Sequence, residues 1–233
     1  MSLRFVHLHL HTEFSLADST IRVPEKPDYA RPEKAGDRPN LLSRAVELQL
    51  PALAVTDRNN LFALVKFYRD AEGAGIKPIA GADIMVADGG DAPSLLTLLC
   101  RDHGGYLSLS RLLTRAWMQG QRGDGVAIDP EWLRDDHKGL FAIAGRGSLA
   151  GRLALANRHD LAESQLAALQ GVFGDDLHLE LTRTGREGED AFNAFAMHAS
   201  AKRGIPLLAS NDVRFLDAAG FDAHEARVCI ASG

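Results

Sequence analysis

The stretch that decides the fold is residues 5–11, Phe5-Val6-His7-Leu8-His9-Leu10-His11, in which apolar side chains alternate with histidines. Successive side chains of a β-strand point to opposite faces, so this period of two predicts a strand whose three histidines share one face. Val6, Leu8 and Leu10 then form the opposite, apolar face. If the apolar face packs against helices, the imidazole rings point to the interior of the fold.

Six more apolar runs follow, each short enough to be a buried strand. They are residues 52–55, 78–86, 95–100, 139–144, 177–181 and 205–209. Segments with helical periodicity lie between them, at residues 41–49, 61–75, 105–118, 160–173 and 190–203. Glycines at positions 75 and 204 mark points where a helix ends and the next strand begins. This alternation predicts an α/β fold of about seven βα units and favours a closed barrel, although an open doubly wound sheet alternates in the same way.

Residues 24–39 break the regular pattern because they combine charged side chains with four prolines. Such a segment cannot carry a continuous helix or strand, so we expect a surface loop over about residues 24–40. Residues 87–91, Ala-Asp-Gly-Gly-Asp, predict a turn. No internal repeat or change of composition divides the chain, so we expect a single domain over residues 1–233.

The 233 residues include 26 Lys and Arg against 31 Asp and Glu, a formal charge of -5, and 45% of them are hydrophobic. This composition excludes an intrinsically disordered chain. The negative charge argues against a domain that grips a nucleic-acid backbone by itself. Cys100 and Cys229 are too few for a disulfide framework, which indicates a reducing compartment. No stretch is long and apolar enough for a membrane span or a signal peptide, so we expect a cytoplasmic protein.

Four aspartates lie near predicted strands: Asp57 and Asp212 follow strands, Asp83 lies within or just after the third strand, and Asp18 comes shortly after the first. In a barrel the carboxyl ends of all strands open on one face, so these carboxylates would meet His9 and His11 there. Imidazole nitrogens and carboxylate oxygens are common ligands of Zn²⁺ and related metals. Taken singly, an aspartate in such a position is more often a helix cap or a turn residue.

Three arginines follow predicted strands at the same face: Arg58, Arg146 and Arg214. Two carboxylates about 4 Å apart repel by about 4 kcal/mol at an effective dielectric constant of about 20, so clustered aspartates call for cations. Metal ions are one source. Guanidinium groups are another, because they pair with carboxylates without ligating metals. A solvated loop charge is the alternative for any one of these arginines.

Five stretches, in order over nearly the whole chain, carry a resemblance to a known family. They are residues 5–18, 51–62, 75–83, 209–215 and 221–225, of which the first two read FVHLHLHTEFSLAD and PALAVTDRNNLF. The chain strongly resembles the N-terminal PHP (polymerase and histidinol phosphatase) domain of the bacterial replicative DNA polymerase III alpha subunits. The resemblance implies a distorted (β/α)7, TIM-like barrel, cut from a far longer polymerase chain.

Active members of this family carry a three-metal phosphoesterase centre, and in some bacteria the domain is a metal-dependent 3′-5′ exonuclease. The resemblance places the family's metal ligands at His9, His11, Asp18 and Asp212, with Asp83 in place of a usual glutamate. Four further ligand positions depart from the family pattern and hold Arg58, Leu95, Arg146 and Arg214. The resemblance therefore implies a partial site that binds either one divalent metal (Zn, Mn or Mg) or none, with no confident catalytic residue.

The arginines standing beside the retained acids suggest that Arg58, Arg146 and Arg214 replace metal cations. Relatives with such substitutions serve as scaffolds, so the resemblance implies a degenerate domain that stabilises the polymerase and docks the proofreading exonuclease subunit of the polymerase III holoenzyme. Residual metal-dependent phosphoesterase or 3′-5′ exonuclease activity is the alternative. DNA-directed DNA polymerase activity and contacts with DNA would belong to the rest of the parent chain.

Four other residues are candidates for groups that do not bind a metal themselves but hydrogen-bond to the ligands. They are His7, Asp57, His178 and Glu180. His178 and Glu180 share one face of the predicted strand 177–181, opposite three leucines. A hydrogen bond from such a group would orient a ligand, and an ordinary structural role explains the pattern as well.

Overall fold

The structure, a computed structural model, describes residues 5–23, 40–87, 89, 92–123 and 125–232. Over these residues the α-helices are α1 (Leu41–Glu47), α2 (Leu64–Gly73), α3 (His103–Gln119), α4 (Pro130–Asp135), α5 (Leu149–Leu155), α6 (His159–Phe173), α7 (Glu189–Arg203) and α8 (Phe221–Ser232). The strands are β1 (Ala52–Val55), β2 (Lys77–Val86), β3 (Ser94–Cys100), β4 (Gln121–Arg122), β5 (Gly125–Val126), β6 (Leu140–Ala144), β7 (Leu177–Thr182) and β8 (Leu207–Ser210). Two compact units are formed, the first by residues 1–80 and 212–233 and the second by residues 81–211.

In the first unit, β1 pairs in parallel with the first four residues of β2. A core of buried apolar side chains, including Leu10, Leu53 and Phe67, lies between β1, α1 and α2. Helix α1 begins with a capping box, in which the Asn40 side chain accepts from the backbone of Ser43 and the Ser43 hydroxyl bonds back to Asn40. A short 3-10 helix, Glu13–Asp18, follows the histidine segment.

The predicted strand over residues 5–10 is only partly formed. The segment makes isolated parallel bridges, His7 with Leu53 and Leu10 with Val213, and no continuous ladder. The physical reason lies in Thr56, whose hydroxyl oxygen accepts the Leu10 N–H at 3.0 Å while its own N–H donates to the Leu10 carbonyl at 2.8 Å. A side chain thus takes a donor that a regular ladder would use.

In the second unit, the last six residues of β2 pair antiparallel with β3, and β3 pairs antiparallel with β6. From β6 the sheet continues in parallel through β7 to β8. The antiparallel pairs depart from the parallel order that repeated βα units predict. Only residues 87–93 join β2 to β3, which is too short for a crossover helix and forces a hairpin.

The other six predicted strands are confirmed to within two residues and the five predicted helices to within three. Helix α7 ends at Gly204, whose φ of 72° lies in the left-handed region. The prediction did not place α4, α5, α8 or the short β4–β5 hairpin. Helices α4 and α5 carry a start signal, since Asp129 caps α4 just before Pro130 and Ser148 caps α5.

The expected proline-rich loop falls on residues 24–39, which lie outside the described residues, as do three of the five residues of the expected turn at 87–91. The single-domain organisation stays a prediction. Across the described ranges, no helix combines the length and the apolar character that a membrane crossing requires.

Two helical glycines of the second unit provide a test of packing. A Cβ at Gly105 in α3 would lie 1.9 Å from the Gly139 carbonyl oxygen, whereas a Cβ at Gly171 in α6 meets nothing within 4 Å. We expect Gly105→Ala to lower the free energy of unfolding by about 1–3 kcal/mol because the backbone must move. Gly171→Ala, the matched control, should raise it by about 0.5–1 kcal/mol. Urea denaturation measures both, and equal stability of the two variants would contradict the close approach.

Candidate site: an arginine–aspartate cluster

Backbone pairing in the first unit places two short segments side by side. The His11 N–H donates to the Val213 carbonyl at 3.0 Å, and the Val213 N–H donates to the His9 carbonyl at 3.0 Å. The neighbours of Val213, Asp212 and Arg214, therefore lie beside His9 and His11. Asp212 has a φ of 46°, a left-handed conformation that aspartate tolerates better than most residues.

Arg214 is the centre of the cluster. Its side chain is only 7% exposed, and its Nε and Nη2 both lie 2.7 Å from Asp212 Oδ1. Its Nη1 donates to His11 Nδ1 at 2.6 Å and also contacts Asp18 Oδ2. One buried guanidinium thus joins two carboxylates and an imidazole, which uses its planar set of donors in several directions.

Asp18, at the end of the 3-10 helix, also forms an ion pair with a second arginine, Arg58. Arg58 Nη2 donates to Asp18 Oδ2 at 2.6 Å, and the Arg58 side chain is 45% exposed. His11 Nδ1 lies 3.2 Å from the same oxygen. A ring nitrogen either accepts or donates, so the shorter contact with Arg214, which can only donate, makes Nδ1 an acceptor. We call His9, His11, Asp18, Arg58, Asp212 and Arg214 the arginine–aspartate cluster.

The environment of Asp18 favours its charged form. Burial raises the pKa of Asp18, but the positive charges of Arg214 and Arg58 outweigh burial and hold that pKa well below its ordinary value. Asp18 is therefore an anion throughout the neutral range. Two aspartates and two arginines balance in formal charge within the cluster.

Asp57 has a structural role, unlike the aspartates that pair with arginines. It is buried and accepts three hydrogen bonds, from the Thr12 N–H at 2.7 Å, the Thr12 hydroxyl at 2.7 Å and the Ser15 hydroxyl at 2.6 Å. Its carboxylate therefore fixes the start of the 3-10 helix whose last residue is Asp18. The His7 ring, meanwhile, packs edge-on against Phe5 at 4.8 Å, and burial lowers the pKa of His7.

Sequence reasoning missed several polar groups that support the cluster. The Ser19 hydroxyl donates to the His11 carbonyl at 2.7 Å and to the Arg214 carbonyl at 3.0 Å. From α8, His224 Nε2 lies 3.2 Å from the Asp18 carbonyl and Arg227 donates to the Ser19 carbonyl at 2.9 Å. No spacing rule connects α8 with residues about 200 positions earlier, so only the folded chain reveals these contacts.

Four of the predicted site residues lie in the second unit. Asp83 is buried and accepts from the Thr97 hydroxyl at 2.6 Å, across the β2–β3 pair. Glu180 on β7 is buried, and a Cβ at Gly145 would lie 2.3 Å from its Oε2, so a larger residue at position 145 would require that carboxylate to move. His178 is partly buried, and burial lowers its pKa. Arg146 donates to the Glu187 carbonyl at 2.8 Å, a backbone contact with the loop before α7.

The residues of the first unit do not fit a three-metal centre. One oxygen of each carboxylate, Asp18 Oδ2 and Asp212 Oδ1, is in contact with guanidinium nitrogens, and His11 Nδ1 accepts from Arg214. Arginine carries a permanent positive charge and has no lone pair with which to ligate a metal. These ligand atoms are therefore already engaged by arginines.

The depressed pKa of Asp18 makes stability depend on pH. A carboxyl whose pKa is lower in the folded than in the unfolded chain stabilises the fold above about pH 4 and loses that contribution as the pH falls. We expect Asp18→Asn to lower the free energy of unfolding by about 3 kcal/mol at neutral pH, with a difference from wild type that shrinks below about pH 4. Asp222→Asn, on the exposed face of α8, is the control. A pH-independent difference in denaturant unfolding would contradict the charge argument.

Arg214 and Arg58 should contribute differently to the free energy of unfolding because they differ in burial. Arg214→Gln leaves Asp18 and Asp212 without their shared cation, which should cost about 3–5 kcal/mol of unfolding free energy. Arg58→Gln removes a half-exposed partner and should cost less than about 1 kcal/mol. Thermal and urea unfolding of both variants measure the two losses of unfolding free energy. A larger loss for Arg58→Gln would show that Arg214 is not the central cation.

Solved structures of low sequence identity have the same fold. An amidohydrolase from Chromobacterium violaceum, solved with bound sulfate and no metal, matches at a TM-score of 0.60 with 14% identity, covering 95% of this chain and 96% of that one. A Bifidobacterium adolescentis protein described as a metal-dependent phosphoesterase matches at 0.60 with 12% identity and 97% coverage of both chains. The predicted fold class, an α/β distorted TIM-like barrel of the PHP type, is confirmed.

Relatives in sequence are much more similar. DNA polymerase III subunit alpha of Xylella fastidiosa (strain Temecula1) is 66% identical over 98% of this chain, and those of Pseudomonas aeruginosa and Escherichia coli K12 are 40% and 39% identical over 100% and 99% of it. The chain spans about a fifth of the length of these relatives, which is 19% in each case. The resemblance to their N-terminal region is confirmed. The PHP domain family matches residues 7–184, and the chain belongs to this family.

Proposed function

We propose that this chain is a catalytically degenerate PHP domain, one domain over residues 1–233, that acts as a scaffold within a replicative DNA polymerase alpha subunit. The single observation that carries the proposal is the buried guanidinium of Arg214, in contact with both Asp18 and Asp212. A phosphoesterase needs open metal positions at such carboxylates, because the metal activates water and polarises the phosphoryl oxygen. A permanent cation bound to both acids favours a structural role of this site over a hydrolytic one.

The similarity to polymerase III alpha subunits supports the wider assignment. We infer that the parent chain is a cytoplasmic DNA-directed DNA polymerase of the polymerase III holoenzyme, and that this domain docks the proofreading exonuclease subunit. The formal charge of -5 is consistent with a domain that contacts proteins more than the DNA backbone. The parent's remaining residues would supply the DNA contacts and the nucleotidyl-transfer chemistry.

Residual metal-dependent phosphoesterase or 3′-5′ exonuclease activity is the second candidate. It is favoured by the two buried histidines, His9 and His11, whose ring centroids lie 5.7 Å apart, and by the 3.4 Å distance between His9 Nε2 and Asp212 Oδ1. His9, His11 and a carboxylate are a donor set for a single divalent ion. This candidate and the scaffold make different predictions for nuclease activity.

Nuclease activity separates the two candidates, and metal content tests whether a multi-metal centre is present. We expect elemental analysis of chain purified without chelators to find fewer than two divalent ions per chain, and we expect no release of nucleotides from a 3′-labelled oligonucleotide with Mn²⁺ or Zn²⁺. The double variant Arg58→His and Arg214→His, which replaces both cations with neutral ligands, should raise the number of bound ions. Two or more metals in the wild-type chain would refute the degenerate site.

Controls for this test use His9. Co-purification with the exonuclease subunit should be the same for wild type and His9→Ala, because docking does not need a metal ligand. Nucleotide release that His9→Ala abolishes would instead establish the enzyme.

A further inference from the structure

A cavity lies between the sheet and three helices of the second unit. Its volume is about 130 Å³, and the described residues that line it all lie between Val86 and Val172, so it belongs to that unit alone. The end of β2 and the start of β3 line one side, and α4, α5 and α6 line the others. No residue of the arginine–aspartate cluster takes part in this lining.

The lining of the cavity is mainly aliphatic. Leu96, Leu133 and Ala150 are no more than 3% exposed, and Leu169 and Val172 of α6 are partly buried. An engineered protein cavity of about 150 Å³ with a comparable apolar lining stays dry and binds benzene. The cavity of the second unit therefore has the size and the character that suit a single six-membered ring.

The buried polar residues of the lining indicate an uncharged ligand. Over the described residues they are two serines, Ser94 and Ser148. The Ser148 hydroxyl already donates to the Gly145 carbonyl at 2.7 Å and accepts the Gly151 N–H at 3.1 Å. A hydroxyl cannot neutralise an ion, and a charge without a partner is costly to bury. A charged ligand would thus lose its hydration without gaining a counter-ion inside the cavity.

The mouth of the cavity has no preference for either sign of charge. Glu131 and Arg134, both exposed on α4, carry opposite charges, and the third polar residue there is the neutral Gln165 of α6. These side chains therefore give the mouth a formal charge of zero, and an ion of either sign gains no net attraction from it.

The surroundings of the mouth favour a free molecule over a protein segment. Where a protein inserts a side chain into a pocket, further apolar contacts normally surround that pocket. The exposed lining residues here are Pro130, Glu131, Arg134 and Ala168. On α4, α5 and α6, all within the described chain, the only exposed large apolar side chain is Leu161, which does not line the cavity. A segment of a partner or of a longer parent chain would find little apolar surface to cover, whereas a free molecule needs only the cavity.

We propose that this cavity binds a small, uncharged, apolar molecule that contains a single ring. The ligand leaves water and gains dispersion contacts with aliphatic side chains that otherwise face empty space. Binding to the folded chain alone stabilises the second unit against unfolding. The proposal is independent of the scaffold function, because the two involve different residues.

Fluorine NMR of the ligand tests the proposal with both the 233-residue chain and the full-length parent polymerase. The three probes share one ring: para-fluorotoluene is uncharged, para-fluorobenzoate is an anion and para-fluorobenzylammonium is a cation. We expect saturable line broadening of para-fluorotoluene with both proteins. The two ions should bind at least about tenfold more weakly, because neither finds a counter-ion in the cavity.

Substitutions on α6 locate the binding site. Ala168→Phe places a ring at the mouth of the cavity and should abolish saturable binding of para-fluorotoluene. Ala167→Phe, at an exposed neighbouring position that does not line the cavity, should change the Kd by less than about twofold. Ala168→Leu serves as the second variant if circular dichroism shows that Ala168→Phe is unfolded.

Four results would overturn the proposal. They are a wild-type chain without saturable binding, an ion that binds as tightly as para-fluorotoluene, a folded Ala168→Phe or Ala168→Leu chain that still binds like wild type, and a parent polymerase that does not bind although the 233-residue chain does. The last result would mean that further residues of the parent chain fill the cavity.

Discussion

The contact between buried Arg214 and the carboxylates of Asp18 and Asp212 is the interaction on which the candidate site depends. Removing a guanidinium from water costs several kcal/mol, and that cost is recovered only where its donors meet charged acceptors in good geometry. The 7% exposure of Arg214 and its 2.7 Å contacts with Asp212 meet this requirement. The two carboxylates need the arginine equally, because they would otherwise repel each other in a poorly solvated place. Each charged member of the cluster therefore offsets the free-energy cost of burying the others.

Asp57 makes that cluster possible by fixing the segment that precedes Asp18. Its carboxylate accepts from Thr12 and Ser15, both in the turn that leads from His11 into the 3-10 helix. Any other conformation of the turn would break these three hydrogen bonds and leave a buried carboxylate unpaired, at a high cost in free energy. The turn therefore has few alternative conformations. The same restriction positions Asp18 toward Arg214 and Leu16 toward solvent. One buried acid thus supports both the arginine–aspartate cluster and the turn that carries exposed Leu16.

The sequence was sufficient for those features that local periodicity determines. Short apolar runs located six strands, and glycines such as Gly204 located helix ends, because both depend on near neighbours. The hairpin between β2 and β3 required knowing which strands pair, and the partial strand at residues 5–10 depended on the hydroxyl of Thr56. The candidate acids and arginines were recognised by type and position, but the pairing of Arg214 with both Asp18 and Asp212 is a property of the folded chain. So is the backbone contact of Arg146, whose position after a strand resembled that of the other two arginines.

Arginines in place of metal ions, as proposed above, would change how the fold depends on its surroundings. A bound metal stabilises a protein by an amount that grows with the free metal concentration relative to the dissociation constant, so a metal-held site weakens when metal is scarce. A guanidinium is covalently attached and keeps its charge at every physiological pH, so its contribution is unconditional. Hydrolysis needs exchangeable water on an accessible cation, and a scaffold needs neither. A site in which Arg214 is buried and Asp18 stays ionised therefore suits a domain that must keep one shape, as the proposed scaffold would.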